Sequence, residues 1–257
     1  DLIVTGVQTC ALPIWNLKDG AREAIFAKLS DLCIIMETTG LPERLTIPHE
    51  VKLSEKAAAM YQQLERTMLL PFADGDVDAA TAAILTNKLL QLAGGAVYDE
   101  NGKAQIVHDQ KLEVLDQLIE EANGQPVLVF YNYKHELDRL QARYPQAIHV
   151  KEENVVKRWN AKEIPILLAN PASAGHGLNL QFGGHIAIWY SPTWNLEFFQ
   201  QANKRLHRRG QAETVLIHTL MAKGTIDERI YDIVLRNKEA GQNALLEAVK
   251  ARIKEVT

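Results

Sequence analysis

Short apolar runs alternate with amphipathic stretches through the second half of the chain, and this alternation restricts the fold more than any other feature. The segments PVLVFYN, IPILLA, GGHIAIWY and ETVLIHTL begin at residues 126, 164, 183 and 213. Each is too short for a stable helix, and each core is continuously apolar, as expected of a strand covered on both faces. A further short strand is expected over 147–150. Between the strands lie helical patterns. Leu112, Leu115, Ile119 and Ala122 recur at near-helical spacing, and helices are expected over 134–143, 154–162, 195–208 and from Thr225 onward. Strands alternating with helices predict an α/β fold, a parallel sheet of doubly wound type with helices on both faces. Ligands of such sheets gather at the carboxyl ends of strands, so the loops after Phe130, Ala169 and Tyr190 are where chemistry is sought.

The first half reads differently. A helix is expected over 19–31, with Ala21, Ile25, Leu29 and Leu32 on one stripe. Gly40, Pro42 and Pro48 then break helix, and Leu45, Ile47 and Val51 alternate as in extended chain. Ser54 is positioned to cap a helix running to about Leu70, where Pro71 ends it. Another helix is expected over 79–92. Asn101-Gly102, between two short extended runs, is a hairpin signal. The opening DLIVTGVQTCALPI resembles a read-through translation of sequencing-adapter DNA and lacks an initial Met; the alternative is a genuine short strand, VTGV. Three regions are therefore expected: a non-native leader over 1–14, a mainly helical segment over 15–108, and an α/β domain over 109–257.

Composition narrows the function classes. The 257 residues are 47% hydrophobic and 23% charged, as in ordinary globular domains. The net charge is −4, so any nucleic-acid surface has to be local. Two cysteines, Cys10 and Cys33, have no metal-ligand spacing, and no metal site is expected. That cysteine usage fits a reducing compartment. No apolar run reaches the ~18–20 residues of a membrane span.

Two segments carry candidate chemistry. QQANKRLHRRGQ (200–211) holds Lys204, Arg205, Arg208 and Arg209 with no acid among them. On a continuous helix Gln201, Arg205 and Arg208 would share one face. Two fixed guanidinium forks suit a polyphosphate; the other reading is a solvated basic face near a helix C-terminus. PASAGHGLNL (171–180) follows the strand IPILLA directly. Its Gly175 and Gly177 allow close backbone approach, and Ser173 offers a hydroxyl. A phosphate cradle and a plain tight turn both remain open there.

AGHGLNL and, about twenty residues on, QQANKRLHRRGQ resemble the last two helicase motifs of the Swi/Snf family, DNA-translocating ATPases of superfamily two. Gln201, Ala202, Arg205, Arg208, Gly210 and Gln211 match one motif, and Trp194-Asn195 matches the pair upstream of it. VLVFYNYKHELDRL resembles the first motif of the same lobe, and LPERLTIPHEVKLSEK and KLLQLAGGAVYDENG resemble phage and prophage members. Ala174 and Ser191 depart from the common Gly and Asp of the family. The resemblance implies a carboxyl-terminal RecA-like lobe, preceded by the end of a first lobe and an inter-lobe segment. It implies Arg208 as an arginine finger, Arg205 as its partner on the phosphates, and Gln201 as their orienting group. Gly175, Gly177 and Asn179 would line the nucleotide side. Tyr131, Asn132, Lys134, Ser173 and Trp194 would contact DNA, with strand-end packing as an equal alternative for Tyr131. ATP with Mg²⁺ is the implied cofactor. The Mg²⁺ would be held by a first lobe, because this sequence contains no G-x-x-x-x-G-K-[ST] and no acidic box after a strand. Double-stranded DNA and that first lobe are the implied partners, no membrane partner is expected, and a bacterial or phage-infected cytoplasm is the implied location. Without the first lobe no turnover is expected. The alternatives are a non-catalytic nucleic-acid-binding module of the same fold and an RNA-directed helicase.

Overall fold

The computed structural model describes residues 40–69, 79–174 and 177–236. The expected leader, the helix over 19–31, Gly175 and the chain beyond residue 236 lie outside these. Six strands form one parallel sheet: β1 (Arg44–Val51), β4 (Val127–Phe130), β5 (Ile148–His149), β6 (Ile166–Ala169), β7 (Ile186–Trp189) and β8 (Val215–Ala222), in the order β1-β8-β7-β4-β6-β5. The hairpin around Asn101-Gly102 forms as expected from β2 (Ala96–Tyr98) and β3 (Ala104–Ile106), with Gly102 at φ +75° in the turn.

The helices are α1 (Glu55–Leu69), α2 (Ala79–Ala93), α3 (Gln110–Glu121), α4 (Lys134–Arg143), α5 (Val155–Asn160), α6 (Pro171–Ala174), α7 (Leu196–Asn203) and α8 (Ile226–Ile230). Thr225 caps α8, its Oγ1 accepting from Asp227 N, and a π-helical turn, Tyr231–Arg236, follows.

Helices cover both faces, and side-chain alternation sorts the strands between them. Leu128, Phe130, Leu167, Ala169, Ala187, Trp189 and Ile217 pack with α1, α2, α5, α7 and α8. Val127, Val129, Ile166, Leu168, Ile186, Ile188 and Leu220 pack with α3 and α4. Every residue of β4, β6 and β7 is buried. Full burial of each large aliphatic side chain is worth about 1.5–3 kcal/mol, so the apolar runs supply the driving force for this arrangement.

The sheet reaches further upstream than residue 109. β1 pairs with β8 over eight residues, and α2 joins the same core as β4 and β7. The segment expected to lie outside the α/β domain thus supplies an edge strand. Its composition hid this, because β1 is exposed along most of its length and carries Pro48, which an edge position tolerates.

A buried polar chain crosses the second core near the carboxyl ends of the strands. Lys111 Nζ lies 2.6 Å from Asp227 Oδ2 with both side chains fully buried, and it also donates to Ser191 Oγ at 3.3 Å. Ser191 in turn donates to Glu136 Oε1 at 2.6 Å. Removing one member of such a buried pair costs ~3–5 kcal/mol, which ties α3 to the start of α8.

A cleft at the strand ends and an arginine turn at the opposite edge

Three strands end together in loops that define a cleft. After β4, Asn132 turns its Nδ2 inward to Ser191 O at 3.1 Å and Pro192 O at 3.0 Å, joining the loops after β4 and β7. Glu136, in the first turn of α4, accepts from Asn132 N at 2.7 Å and Tyr133 N at 3.2 Å. Burial pushes the Glu136 carboxyl above the ordinary carboxylate range, opposed by the Ser191 hydroxyl, the loop N–H groups and the Lys111 charge. After β6, Asn170 donates to Tyr131 O and Asn132 O and accepts from Ala172 N, which sets Pro171 at the start of α6. Asn195 caps α7, its side chain accepting from Phe198 N at 3.0 Å. These loops and one face of α2 enclose a cleft of about 220 Å³, with Trp194 and Phe198 each 38% exposed on its walls.

Of the DNA candidates, Asn132 and Trp194 line this cleft. Lys134 is exposed at the start of α4, and Ser173 is half-buried on α6; neither lines it. Tyr131 does not belong to it either. Its side chain is 6% exposed in the second core, and its hydroxyl meets His149 Nε2 at 2.8 Å. Strand-end packing is therefore the role the structure gives Tyr131, because the last side chain of a strand points by alternation into whichever core its register dictates. Lining groups such as Asn87 of α2, Asn170, Thr193 and Phe198 were missed by sequence reasoning, since nothing local marks them.

The arginines lie elsewhere. Helix α7 stops at Asn203, so Gln201 is helical while Arg205 and Arg208 belong to a turn, and the expected shared helical face does not form. The last turn tightens, with Arg205 N donating to Ala202 O and Leu206 N to Asn203 O, and Arg205 O accepts instead from Leu180 N at 3.3 Å. Asn203 is also anchored, accepting from Trp189 Nε1 at 3.0 Å. Gly210 leaves the turn at φ +94°. Arg208 Nη1 donates to Asn179 Oδ1, and Asn179 O accepts from Asn160 Nδ2 at 2.9 Å. Gln211 Nε2 reaches Gln181 O and Gly184 O, each at 2.9 Å. The two motif segments are thus stitched together, with Gly177 at φ +69° in the first of them. Gln201 donates to Glu197 Oε1 at 2.7 Å, one helical turn away.

The two arginines, expected at the rim where the strands terminate if the chain is a motor lobe, lie at the other edge, an outcome that counts against that expectation. Gly184 lies just before β7, and His207 Nε2 meets Pro42 O just before β1. The guanidiniums are therefore near the amino-terminal edge of the sheet, not at the rim where its strands end. Topology forces this, because α7 carries the chain back from the end of β7 to the start of β8. Burial, and then the neighbouring Arg208 charge, lower the Arg205 pKa. Two guanidiniums that disfavour one another are an arrangement that an anion relieves. Among the described residues Arg208 forms no ion pair. No group of three or more potential metal ligands occurs among those residues.

Residues 110–210 match the family model for the helicase conserved C-terminal domain. Over this segment the chain is similar to a helicase C-terminal domain. It is 40% identical over 210 residues to a putative protein, p41, of Acyrthosiphon pisum secondary endosymbiont phage 1, covering 79% of this chain and 45% of that protein. It is 26% identical over 227 residues to the putative ATP-dependent helicase/translocase YwqA of Bacillus subtilis, covering 81% of this chain and 24% of that one. This chain therefore spans less than half the length of either relative. Its fold matches the Sulfolobus solfataricus SWI2/SNF2 ATPase core solved with double-stranded DNA, at a TM-score of 0.61 and 18% identity, over 91% of this chain and 54% of that one. The fold is thus RecA-like and matches that of a Swi2/Snf2 ATPase core. No helix among the described residues is long and apolar enough to cross a membrane.

Proposed function

We propose that this lobe is the second half of an ATP-dependent, DNA-tracking motor, and that its two chemical surfaces lie at opposite edges of the sheet. The carboxyl rim, with the cleft and the nearby Lys134, takes the nucleic acid. The amino-terminal edge presents Arg205 and Arg208 to a triphosphate held by a first lobe. What supports this is the stitched arginine turn. Arg208 is held by an amide rather than neutralised by a carboxylate, so its charge stays available to an incoming phosphate. A nucleotide bound by this sheet alone would sit at its own carboxyl rim. Guanidiniums at the other edge instead suit a nucleotide carried by a neighbouring body. ATP would supply the transferable phosphoryl group. Arg208 would stabilise charge on its oxygens, Arg205 would share them, and Asn179 would release Arg208 as the cleft between lobes closes. Mg²⁺ finds no carboxylate cluster among the described residues and belongs, in this reading, to the first lobe.

Helix α7 supplies a physical link between the two surfaces. Its first turn carries Phe198 on the cleft, and its end leads into the arginine turn. Eight residues at 1.5 Å each make a rigid element of about 12 Å. Movement of the cleft loops therefore moves the arginine turn, which is what a hinge cycle driven by ATP requires.

The test joins this chain to a first lobe carrying a phosphate loop. DNA-stimulated ATP hydrolysis should appear in the two-lobed protein, and Arg208→Ala should lower it by about 10³-fold or more while leaving DNA affinity intact. Turnover that survives the substitution would remove the arginine assignment.

A further inference from the structure

We infer that Asn160, the last residue of α5, is a positioning residue for Arg208; the inference rests on the arginine reading above and deepens it. The last two residues of α5 hold two consecutive carbonyls of the segment that follows β6. Asn160 Nδ2 donates to Asn179 O at 2.9 Å, and Trp159 Nε1 donates to Leu180 O at 2.8 Å. Asn179 and Leu180 in turn hold the arginine turn. Asn179 Oδ1 accepts from Arg208 Nη1, and Leu180 N donates to Arg205 O at 3.3 Å. Two hydrogen bonds through a single residue therefore connect Asn160 to the Arg208 guanidinium. The relay starts from a fixed point. Trp159 is fully buried, and a Cβ at Gly183 would lie 2.4 Å from its Nε1. Lys162, at φ +61°, closes the end of α5 by donating its N–H to Trp159 O at 2.8 Å.

Stability alone accounts poorly for this amide. Its Nδ2 serves the Asn179 carbonyl, while its Oδ1 is buried and has no hydrogen-bond partner among the described residues. A buried acceptor left unmade costs about as much free energy as one ordinary hydrogen bond contributes, so the amide adds little net stability. An unsatisfied buried group in a native fold calls for another role. Orienting Asn179 is such a role. With its carbonyl pinned to α5, the Asn179 side chain presents Oδ1 to Arg208 from one direction, and the guanidinium waits in one place. Less side-chain freedom is then lost when a phosphate arrives, and the charge is already aimed. Asn160 is only half-buried, unlike Trp159, so it is the link whose removal the core tolerates.

The two-lobed protein of the preceding test is assayed for ATP hydrolysis on DNA. Asn160→Ala should lower kcat by about 10-fold to 10²-fold, the scale of a misplaced rather than a missing group, with KM for ATP changed by no more than about twofold. The double variant Asn160→Ala/Arg208→Ala should be no slower than Arg208→Ala alone, because a residue that acts through Arg208 then has nothing to position. A loss of packing would instead add to the loss of the arginine. Asn160→Asp keeps the shape and, once ionised, lacks the donor; it should lower kcat in the same way, and it decides the matter if the Ala variant does not fold. Wild-type kcat in the folded variants, or a loss that adds in full to that of Arg208→Ala, overturns the positioning role and leaves the arginine reading standing. Turnover that Arg208→Ala does not lower overturns both.

Discussion

At the scale of single residues, the buried groups are those whose chemistry depends most on the fold. His135 is 2% exposed, stacked on Tyr133 and edge-on to Tyr98, and neither ring nitrogen has a hydrogen-bond partner among the described residues. Burial, reinforced by the nearby Arg139 charge, lowers its pKa from 6.5 to about 4. The folded state therefore holds this ring neutral where the unfolded chain would protonate it. Its contribution is complete above pH 6.5 and is lost as the pH falls from 6.5 through about 4. His108 and His218, also lowered to about 4, act in the same direction. The urea midpoint should fall across that window, and His135→Phe, which keeps an aromatic ring against Tyr133, should reduce the fall. An equal fall in the variant would show that His135 does not titrate on unfolding in this range. The sequence suggested a polar loop or surface residue at His135; its burial on α4 corrects this and is a product of packing alone.

At the scale of elements, the docking of the β2–β3 hairpin shows how a surface flap becomes a support for the cleft. The turn before β2, Gly94-Gly95, is gripped from several sides. Arg139 donates to Gly94 O at 2.7 Å and to His108 O at 2.6 Å, and the Tyr190 hydroxyl donates to Gly94 O at 3.1 Å. A Cβ at Gly94 would lie 2.6 Å from Glu136 Oε1, against the carboxylate that holds the loop after β4. Gly95 has φ +98°, and a Cβ there would lie 2.3 Å from His108 O. Gly95→Ala thus combines a backbone penalty with a clash against backbone. It should cost more than the ~1 kcal/mol typical of a single substitution, read as a lower urea midpoint with an unchanged slope. The hairpin itself was legible from Asn101-Gly102. Its docking was not, because the partners of Gly94 and Gly95 come from α4, the end of β7 and the start of α3.

For the whole molecule, the decisive fact is that β1 and α2 belong to the same body as the later strands. Val51, Leu89, Leu90 and Ala93 are buried at 1% or less. A chain beginning at residue 109 would bare the edge of β8 and part of both cores. Unpaired edges of this kind drive association. Such a chain should be insoluble or show little cooperative unfolding by circular dichroism, whereas one beginning at residue 40 should unfold in a single transition. A folded, monomeric chain from residue 109 would restore the boundary expected from sequence.

The amino-acid sequence alone determined the strands, their alternation with helices, the helix starts near Asn195 and Thr225 and the motif segments, because periodicity acts over a few neighbouring residues. Only the tertiary structure decided that β1 completes the sheet, that α7 ends before its arginines, that those arginines sit at the edge opposite the cleft, and that Lys111 meets Asp227. Each of these turns on a backbone carbonyl, a strand edge or a buried charge satisfied by a partner distant in the chain, and no local pattern of residue types records such a partner.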